Sequence, residues 1–293
     1  MVAKKTAGEK IFQIFNAALM LILMIVSFYP LYYVFVCSFS NPAEIMGVRG
    51  FILAPRGFSL DAYKTVFANP NILSGYRVTV FVVIVATALS VLLTSIGAFL
   101  LTRKSFAIKK LMSVMIIITM YFSGGLIPTY LLVYKWLGLG DSLWALILPT
   151  SISAYNLLIM KANFESIPPT LEESVKIDGG NDLVVLFRII IPLSAPVIAV
   201  MVLFYGVANW NSWFQAMIYL RTRAKYPLQL ILREILLMNN MGNMNSDPAA
   251  DKYMIGTTIK YATIIIATVP ILMVYPLIQK YFVKGIMIGA VKG

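Results

Sequence analysis

Six long apolar runs limit what this chain can fold into. Each has about 20 residues or more, the length that a helix needs to cross a hydrocarbon core of roughly 30 Å. None of them contains Asp, Glu, Lys or Arg, whereas a transmembrane β-barrel would show short alternating segments. We therefore predict an all-α integral membrane protein with six transmembrane helices. The runs are Ile11–Ser38, Val78–Thr102, Leu111–Tyr134, Ser142–Met160, Leu193–Leu220 and Tyr261–Gln279.

Basic residues near the ends of the runs predict the orientation in the membrane. The short segment "TRKSFAIKK" between the second and third runs carries four Lys or Arg residues, and such loops stay on the cytoplasmic side. Both termini are then expected in the cytoplasm. The net charge of +12 is explained by lipid headgroups beside the spans, so no nucleic-acid partner is implied.

The composition also excludes several classes of function. The chain has no histidine and one cysteine, and its spans carry no ionisable residue, which argues against proton-coupled carriers and metal-dependent membrane enzymes. It has no G-x-x-x-x-G-K-[ST] loop for ATP, so we expect it to bind no cofactor or metal. A stand-alone sodium-coupled carrier stays open, because backbone carbonyls can bind sodium. A membrane enzyme or insertase is a third class, although no acid–base constellation is visible.

The polar stretch "EESVKIDGGNDLVVLFRIIIPLSAP" lies between the fourth and fifth runs, on the predicted cytoplasmic side. Thr170 and Glu173 have the spacing of a capping box, which predicts a short helix over Leu171–Ile177. Gly179 or Gly180 can then take the positive φ of a sharp turn. Asn181 or Asp182 would cap a second helix, which Pro192 interrupts.

This stretch resembles the EAA loop of bacterial ABC importer permeases. Glu173-Ser174-Val175, Gly179, Ile189 and Ile191-Pro192 follow the spacing E-A-A, three, G, nine, I, one, L-P, with small or apolar replacements at three positions. "YFSGGLIPTYLLV", "FSLDAYKTVF" and "QKYFVKGIMIGAVKG" are similar to the carbohydrate-uptake branch of the maltose-importer type. Within it the chain resembles the oligosaccharide and polysaccharide subgroup, which includes alginate importers.

The resemblance implies a type I ABC importer permease, a multi-pass subunit of the bacterial inner membrane that imports a sugar, for example an acidic polysaccharide. It implies a second, non-identical permease chain, two cytoplasmic ATP-binding subunits that hold ATP and Mg, and an external solute-binding protein. The loop at about 163–192 would dock on an ATPase subunit. Glu173 would cap the short helix and contact the ATPase, and Asp178 would lie at the corner or interact with the N-terminal dipole of the next helix. The implied coupling residues are Glu172, Glu173, Ser174, Val175, Asp178, Gly179 and Pro192.

A candidate substrate pathway comes from polar and aromatic residues in the fourth and fifth runs. Sugar sites pair aromatic faces with amides and hydroxyls, and such side chains are costly in lipid unless they face a cavity or another helix. Interhelical hydrogen bonds explain any one of them equally well. The candidates are Tyr155, Asn156, Asn209, Trp210, Asn211, Trp213 and Gln215.

The domain organisation follows from the same runs. Residues 1–70 form a first span with an external loop, residues 71–281 a five-helix core, and residues 282–293 a cytoplasmic tail. The resemblance to maltose-type permeases implies that this tail reaches the ATPase interface, and a disordered end is the alternative. A predicted amphipathic helix (Leu228, Ile231, Leu232, Ile235, Leu236) either docks the solute-binding protein or covers neighbouring spans.

Overall fold

The computed structural model describes residues 6–46, 50–103, 105–242, 258–274 and 276. These residues are mostly helical, and within them the only β-type pairing is an isolated bridge between Ser40 and Phe58. They form two compact units, one within Met1–Asn69 and Glu234–Thr268, the other within Pro70–Arg233 and Val269–Gly293. The predicted tail at 282–293 and the tract at 243–257 lie outside the described residues.

The first unit is built on a long N-terminal helix. Thr6 caps this helix in a capping box with Glu9, whose carboxylate accepts a 2.9 Å hydrogen bond from the Thr6 amide. Its large apolar side chains are exposed from Ile11 to Leu31, as expected for a helix in contact with lipid. Cys37 is buried in a small apolar cluster. The helices that lie wholly within this unit are α1 (Ala7–Ser38), α2 (Pro42–Met46) and α3 (Asp61–Phe67).

The second unit is organised around one helix, α4 (Pro70–Thr102). Its small residues Ala86, Ser90, Thr94 and Ala98 recur at every fourth position and are buried, so neighbouring helices approach its backbone closely. The further helices of this unit are α5 (Lys109–Tyr121), α6 (Leu126–Leu131), α7 (Trp144–Ile147), α8 (Ala154–Glu165), α9 (Thr170–Ile177), α10 (Asp182–Val184), α11 (Ile191–Leu193), α12 (Ala195–Trp210) and α13 (Phe214–Tyr219). Two more helices, α14 (Leu228–Gly242) and α15 (Thr258–Val274), are divided between the two units, at Arg233 and at Thr268.

Three of the six predicted spans are interrupted. The third breaks after α5, which meets the segment Leu126–Trp136 at 115°. The break arises because Gly125 takes a φ of +83° and Pro128 has no amide proton to donate. The fourth is divided between α7 and α8, and the fifth between α12 and α13. Hydropathy alone missed these breaks, since an apolar run does not report where the helix stops.

Two helices of the described residues, α1 and α4, are long and apolar enough to cross a membrane singly. The count rises to four if each of two bent helix pairs is one span. The pairs are α5 with the segment Leu126–Trp136, and the segment Asp182–Leu193 with α12. Helix α15 is a shorter apolar helix within the sixth run. The six-span count and the orientation of the termini stay predictions.

Candidate functional site

The predicted short cytoplasmic helix exists as α9, but it begins without the predicted capping box. Pro169 is the N-cap and offers no side-chain hydrogen bond, while Thr170 is already helical. The reason is that Pro169, with φ of −64° and ψ of −22°, is itself fixed in helical geometry, so the helix starts one residue early. Its carbonyl accepts the Glu173 amide at 3.0 Å, and the role in capping that we expected for Glu173 is therefore wrong.

A glycine corner ends α9. Gly179 has a φ of +81°, its amide donates to the Lys176 carbonyl at 3.1 Å, and the Gly180 amide donates to the Val175 carbonyl at 2.8 Å. These two bonds define a Schellman motif, which fixes the direction of the exit chain. Gly180 is needed for a different reason, since a Cβ there would lie 2.5 Å from Cγ1 of Val175. The prediction of a positive-φ glycine is confirmed at Gly179.

The second helix of the loop begins as predicted and ends later than predicted. Asn181 caps it by accepting the Val184 amide at 3.0 Å, and Asp182 follows in its first turn, where a carboxylate favours the helix dipole. Asp178 is the C-cap of α9, so it lies at the corner. A π-helical turn at Val185–Ile190 precedes Pro192, and the helix continues past this proline before the chain bends by 84°. Pro192 therefore does not interrupt the helix where we expected.

A buried ion pair ties α9 to the end of α4. Both guanidinium Nη atoms of Arg103 bond the Glu172 carboxylate, with a distance of 2.6 Å from Nη2 to Oε1, and the two side chains are only 13% and 17% exposed. Arg103 also stacks on the Phe99 ring, with Cζ 4.1 Å from the ring centre. This bidentate pair joins residues 69 positions apart, and no local sequence pattern pointed to Arg103.

The rest of α9 divides into an inner and an outer face. Val175 packs on an apolar cluster that includes Phe164 and Leu186. Ile177 is 86% exposed and Leu171 is 40% exposed, and Glu173 and Ser174 are exposed beside them. Large apolar side chains at the surface of a charged helix are typical of a docking surface.

A polar cleft of about 540 Å³ lies in the second unit between α8, α12 and α13. This volume is in the range of small-ligand sites. Asn156, Tyr205 and Asn209 are mostly buried, and the other polar residues of the lining are partly or fully exposed. The lining consists of Thr150, Ser153, Asn156, Phe204, Tyr205, Ala208, Asn209, Asn211, Ser212, Trp213, Phe214 and Gln215.

Five of the seven predicted pathway residues therefore come together: Asn156, Asn209, Asn211, Trp213 and Gln215. The other two do not line this cleft. Tyr155 is 58% exposed, and Trp210 is buried beside Tyr76 and borders a separate apolar cleft of about 460 Å³. Both lie next to a lining residue in sequence, and successive residues of a helix do not share a face.

Tyr205 is one of seven lining residues that the sequence reasoning missed, and it makes the most contacts between segments. Its hydroxyl lies 2.7 Å from Oγ1 of Thr94 on α4 and accepts the Ser153 amide at 3.1 Å, so it links three segments around the cleft. The signal was its spacing of four from Asn209, which places both side chains on one face of α12.

A clasp on the predicted external side holds the loop before α7 to the segment after α13. Asp141 has a φ of +54°, and its carboxylate accepts bonds from the Arg221 and Thr222 amides at 2.9 Å and from Nζ of Lys225 at 2.9 Å. Together with the Thr222 hydroxyl, these donors lower the pKa of the Asp141 carboxyl far below its usual range.

The predicted amphipathic helix is α14, and its first turns pack on α4. Leu228, Ile231 and Leu232 are buried, and the Leu228 amide donates to Oγ1 of Thr79 at 2.8 Å. The start of the helix therefore covers a neighbouring span, which is one of the two roles we expected.

Comparison with known proteins identifies what these features belong to. Residues 91–288 match the family described as the binding-protein-dependent transport system inner membrane component. The chain belongs to this permease family. It is 43% identical to the polygalacturonan/rhamnogalacturonan transport system permease protein YtcP of Bacillus subtilis (strain 168), over 97% of this chain and 99% of that protein. It is 42% identical to protein LplC of the same strain, over 98% and 97% of the two chains.

A solved structure has the same fold as this permease. The structure is that of a bacterial ABC transporter involved in the import of the acidic polysaccharide alginate. One of its chains is 30% identical to this permease with a TM-score of 0.86, and the match covers 96% of this permease and 100% of that chain. The predictions of an all-α ABC importer permease and of a non-catalytic subunit are confirmed. The sodium-coupled carrier finds no support among these relatives. In the described residues no group of His, Cys, Asp or Glu could hold a metal ion.

Proposed function

We propose that this permease lines the import path of an oligosaccharide and couples that path to a cytoplasmic ATPase through α9. The observation that carries the coupling role is the bidentate Arg103–Glu172 pair, because it joins an exposed short helix to the end of the helix around which the core is built. A slack loop would absorb a push from a partner, and the Schellman corner at Gly179 removes slack at the other end of α9.

The docking surface on α9 consists of its exposed residues. Leu171 and Ile177 supply apolar contact, and Glu173 and Ser174 supply polar contact at the rim. Val175 keeps the helix on the body of the permease, Asp178 is the C-cap of α9, and Pro192 lies near the end of the second helix of the loop. ATP and Mg belong to the two partner ATPase subunits, which close on each other and move α9.

The import path runs through the polar cleft. Its amides and hydroxyls suit the rim of a sugar ring, and Trp213 and Phe214 suit the C–H faces. Tyr155 and Trp210 lie outside this cleft and would border the path only in another conformation. In the bacterial inner membrane this permease has six spans and both termini on the cytoplasmic side. A second, non-identical permease chain completes the enclosure of the path, and an external solute-binding protein delivers the sugar.

Reconstitution tests this proposal directly. The permease, its partner permease, the ATPase and the binding protein are placed in proteoliposomes, and uptake of oligogalacturonate is measured with and without vanadate. We expect uptake that depends on ATP and stops with vanadate, and we expect cysteine crosslinks from position 174 to reach the ATPase. Uptake that persists without the ATPase, or crosslinks that form only with external proteins, would contradict the proposal.

A further inference from the structure

The polar cleft has no charged side chain among the described residues that line it. Its lining among the described residues contains amides, hydroxyls, aromatic rings and one alanine, and no Lys, Arg, Asp or Glu. A neutral sugar could be bound by such a lining alone. A uronate carries a carboxylate on each ring, and losing its hydration without a cationic partner would be costly. If the cleft passes acidic sugars, a cation has to lie at its border.

Arg233 of α14 stacks on one wall of that cleft, although it is not itself a lining residue. Its guanidinium carbon is 3.9 Å from the centre of the Trp213 ring, and Trp213 lines the cleft. Stacking uses the flat face of the guanidinium and leaves its edges for hydrogen bonds. One Nη atom lies 3.3 Å from the sulfur of Met217, which is a weak acceptor. The remaining N–H groups keep the fork geometry that binds a carboxylate with two bonds.

Arg233 also differs from two other basic residues of the second unit, which have counter-ions. Lys225 is neutralised by the Asp141 carboxylate at 2.9 Å. Arg103 is neutralised by Glu172 at the other end of the unit. Among the described residues no carboxylate forms an ion pair with Arg233, although the side chain is partly buried. A partly buried cation that stacks on an aromatic ring and has no counter-ion in the described part of the chain has the properties of an anion site.

We infer that Arg233, held on Trp213, binds the carboxylate of an acidic sugar at the border of the polar cleft and so selects uronate-containing oligosaccharides. This inference rests on the proposed function and names its substrate class. The chemistry agrees with the relatives, since polygalacturonan and alginate are both acidic. The guanidinium binds the carboxylate, while neighbouring amides such as Asn209 and Gln215 bind the hydroxyls.

Equilibrium binding to the assembled complex in nanodiscs, without the binding protein, tests the inference. The probes are a labelled galacturonate trimer and the same trimer with its carboxylates reduced to alcohols. We expect the wild-type complex to bind the acidic trimer about tenfold more tightly, since one charge-assisted bond pair has about that effect on a dissociation constant. Arg233→Gln should remove the preference, and Arg233→Lys should keep part of it. Raised salt should weaken only the acidic trimer.

Arg221→Gln is the matched control. Arg221 also stacks on an aromatic ring, at 5.2 Å from the centre of Tyr134, but Tyr134 packs in an apolar cluster and does not line the cleft. This control should bind both trimers like the wild type. The inference is overturned if Arg233→Gln keeps the preference for the acidic trimer, if the control loses it equally, or if the wild type binds neither trimer or both equally. ATP-driven uptake by the same wild-type complex reports separately on the proposed function.

Discussion

The Arg103–Glu172 pair gives the most direct test of how α9 is held. Glu172→Gln keeps the size of the side chain and removes its charge, so the Arg103 guanidinium is left with 13% exposure and no counter-ion. A fully buried pair costs roughly 3–5 kcal/mol when one partner is removed, and an exposed pair about 0–1 kcal/mol. With exposed fractions of 13% and 17%, we expect about 2 kcal/mol for the free energy that docks α9 on the permease.

A loss of about 2 kcal/mol raises the undocked fraction of α9 roughly 30-fold. Hydrogen exchange of the α9 amides should therefore accelerate by about that factor, because exchange of a locally opening helix reports its opening free energy. In proteoliposomes the number of sugars imported per ATP should fall, while the ATPase continues to turn over. Lys161→Gln is the control, since its pair with Glu165 is more exposed and spaced i,i+4, and it should cost only about 0.5 kcal/mol.

A double-mutant cycle decides whether the pair itself is responsible. Arg103→Gln and Glu172→Gln each leave one buried charge, whereas the double variant leaves none and should cost less than the sum of the two. Strict additivity of the two effects, or unchanged exchange in α9 with either single variant, would refute the reasoning.

Three further perturbations test the corner, the cleft and the clasp. Gly179→Val forces a β-branched residue to a φ of +81°, which costs about 1–2 kcal/mol, and should reduce uptake per ATP without preventing membrane insertion. Gly179→Asn is the control, because asparagine tolerates this φ, and it should keep more uptake. Full uptake in the valine variant would contradict the role of the corner. Tyr205→Phe removes the hydroxyl that bonds both Thr94 and the Ser153 amide, and it should lower the free energy of unfolding by about 1–3 kcal/mol in thermal melts. An unchanged melting temperature would count against that link. Because the pKa of Asp141 is lowered, its stabilising effect is complete at neutral pH and disappears as the pH falls below about 4. The melting temperatures of the wild type and of Asp141→Asn should therefore differ at pH 7 and converge in acid. A difference that is independent of pH would refute this account of the clasp.

Local patterns in the sequence determined the class of the protein and the form of its cytoplasmic loop. Apolar length and the absence of charge predict membrane helices without any tertiary contact, because a lipid environment acts on each segment alone. The glycine pair at 179–180 and Asn181 predict a turn followed by a cap, since their effects reach only a few residues along the chain. The EAA-like spacing added the family, which the comparisons confirm.

Tertiary structure decided everything that depends on contacts between distant segments. It divided three apolar runs at Gly125, between α7 and α8, and at Asn211, where the backbone turns although no charged residue marks the break. It brought Asn156 and Asn209 to one cleft and left Trp210 on another face, a difference of one residue that composition does not record. The ion pair between Arg103 and Glu172 spans 69 residues, so its energy depends on a fold that no short stretch of sequence encodes.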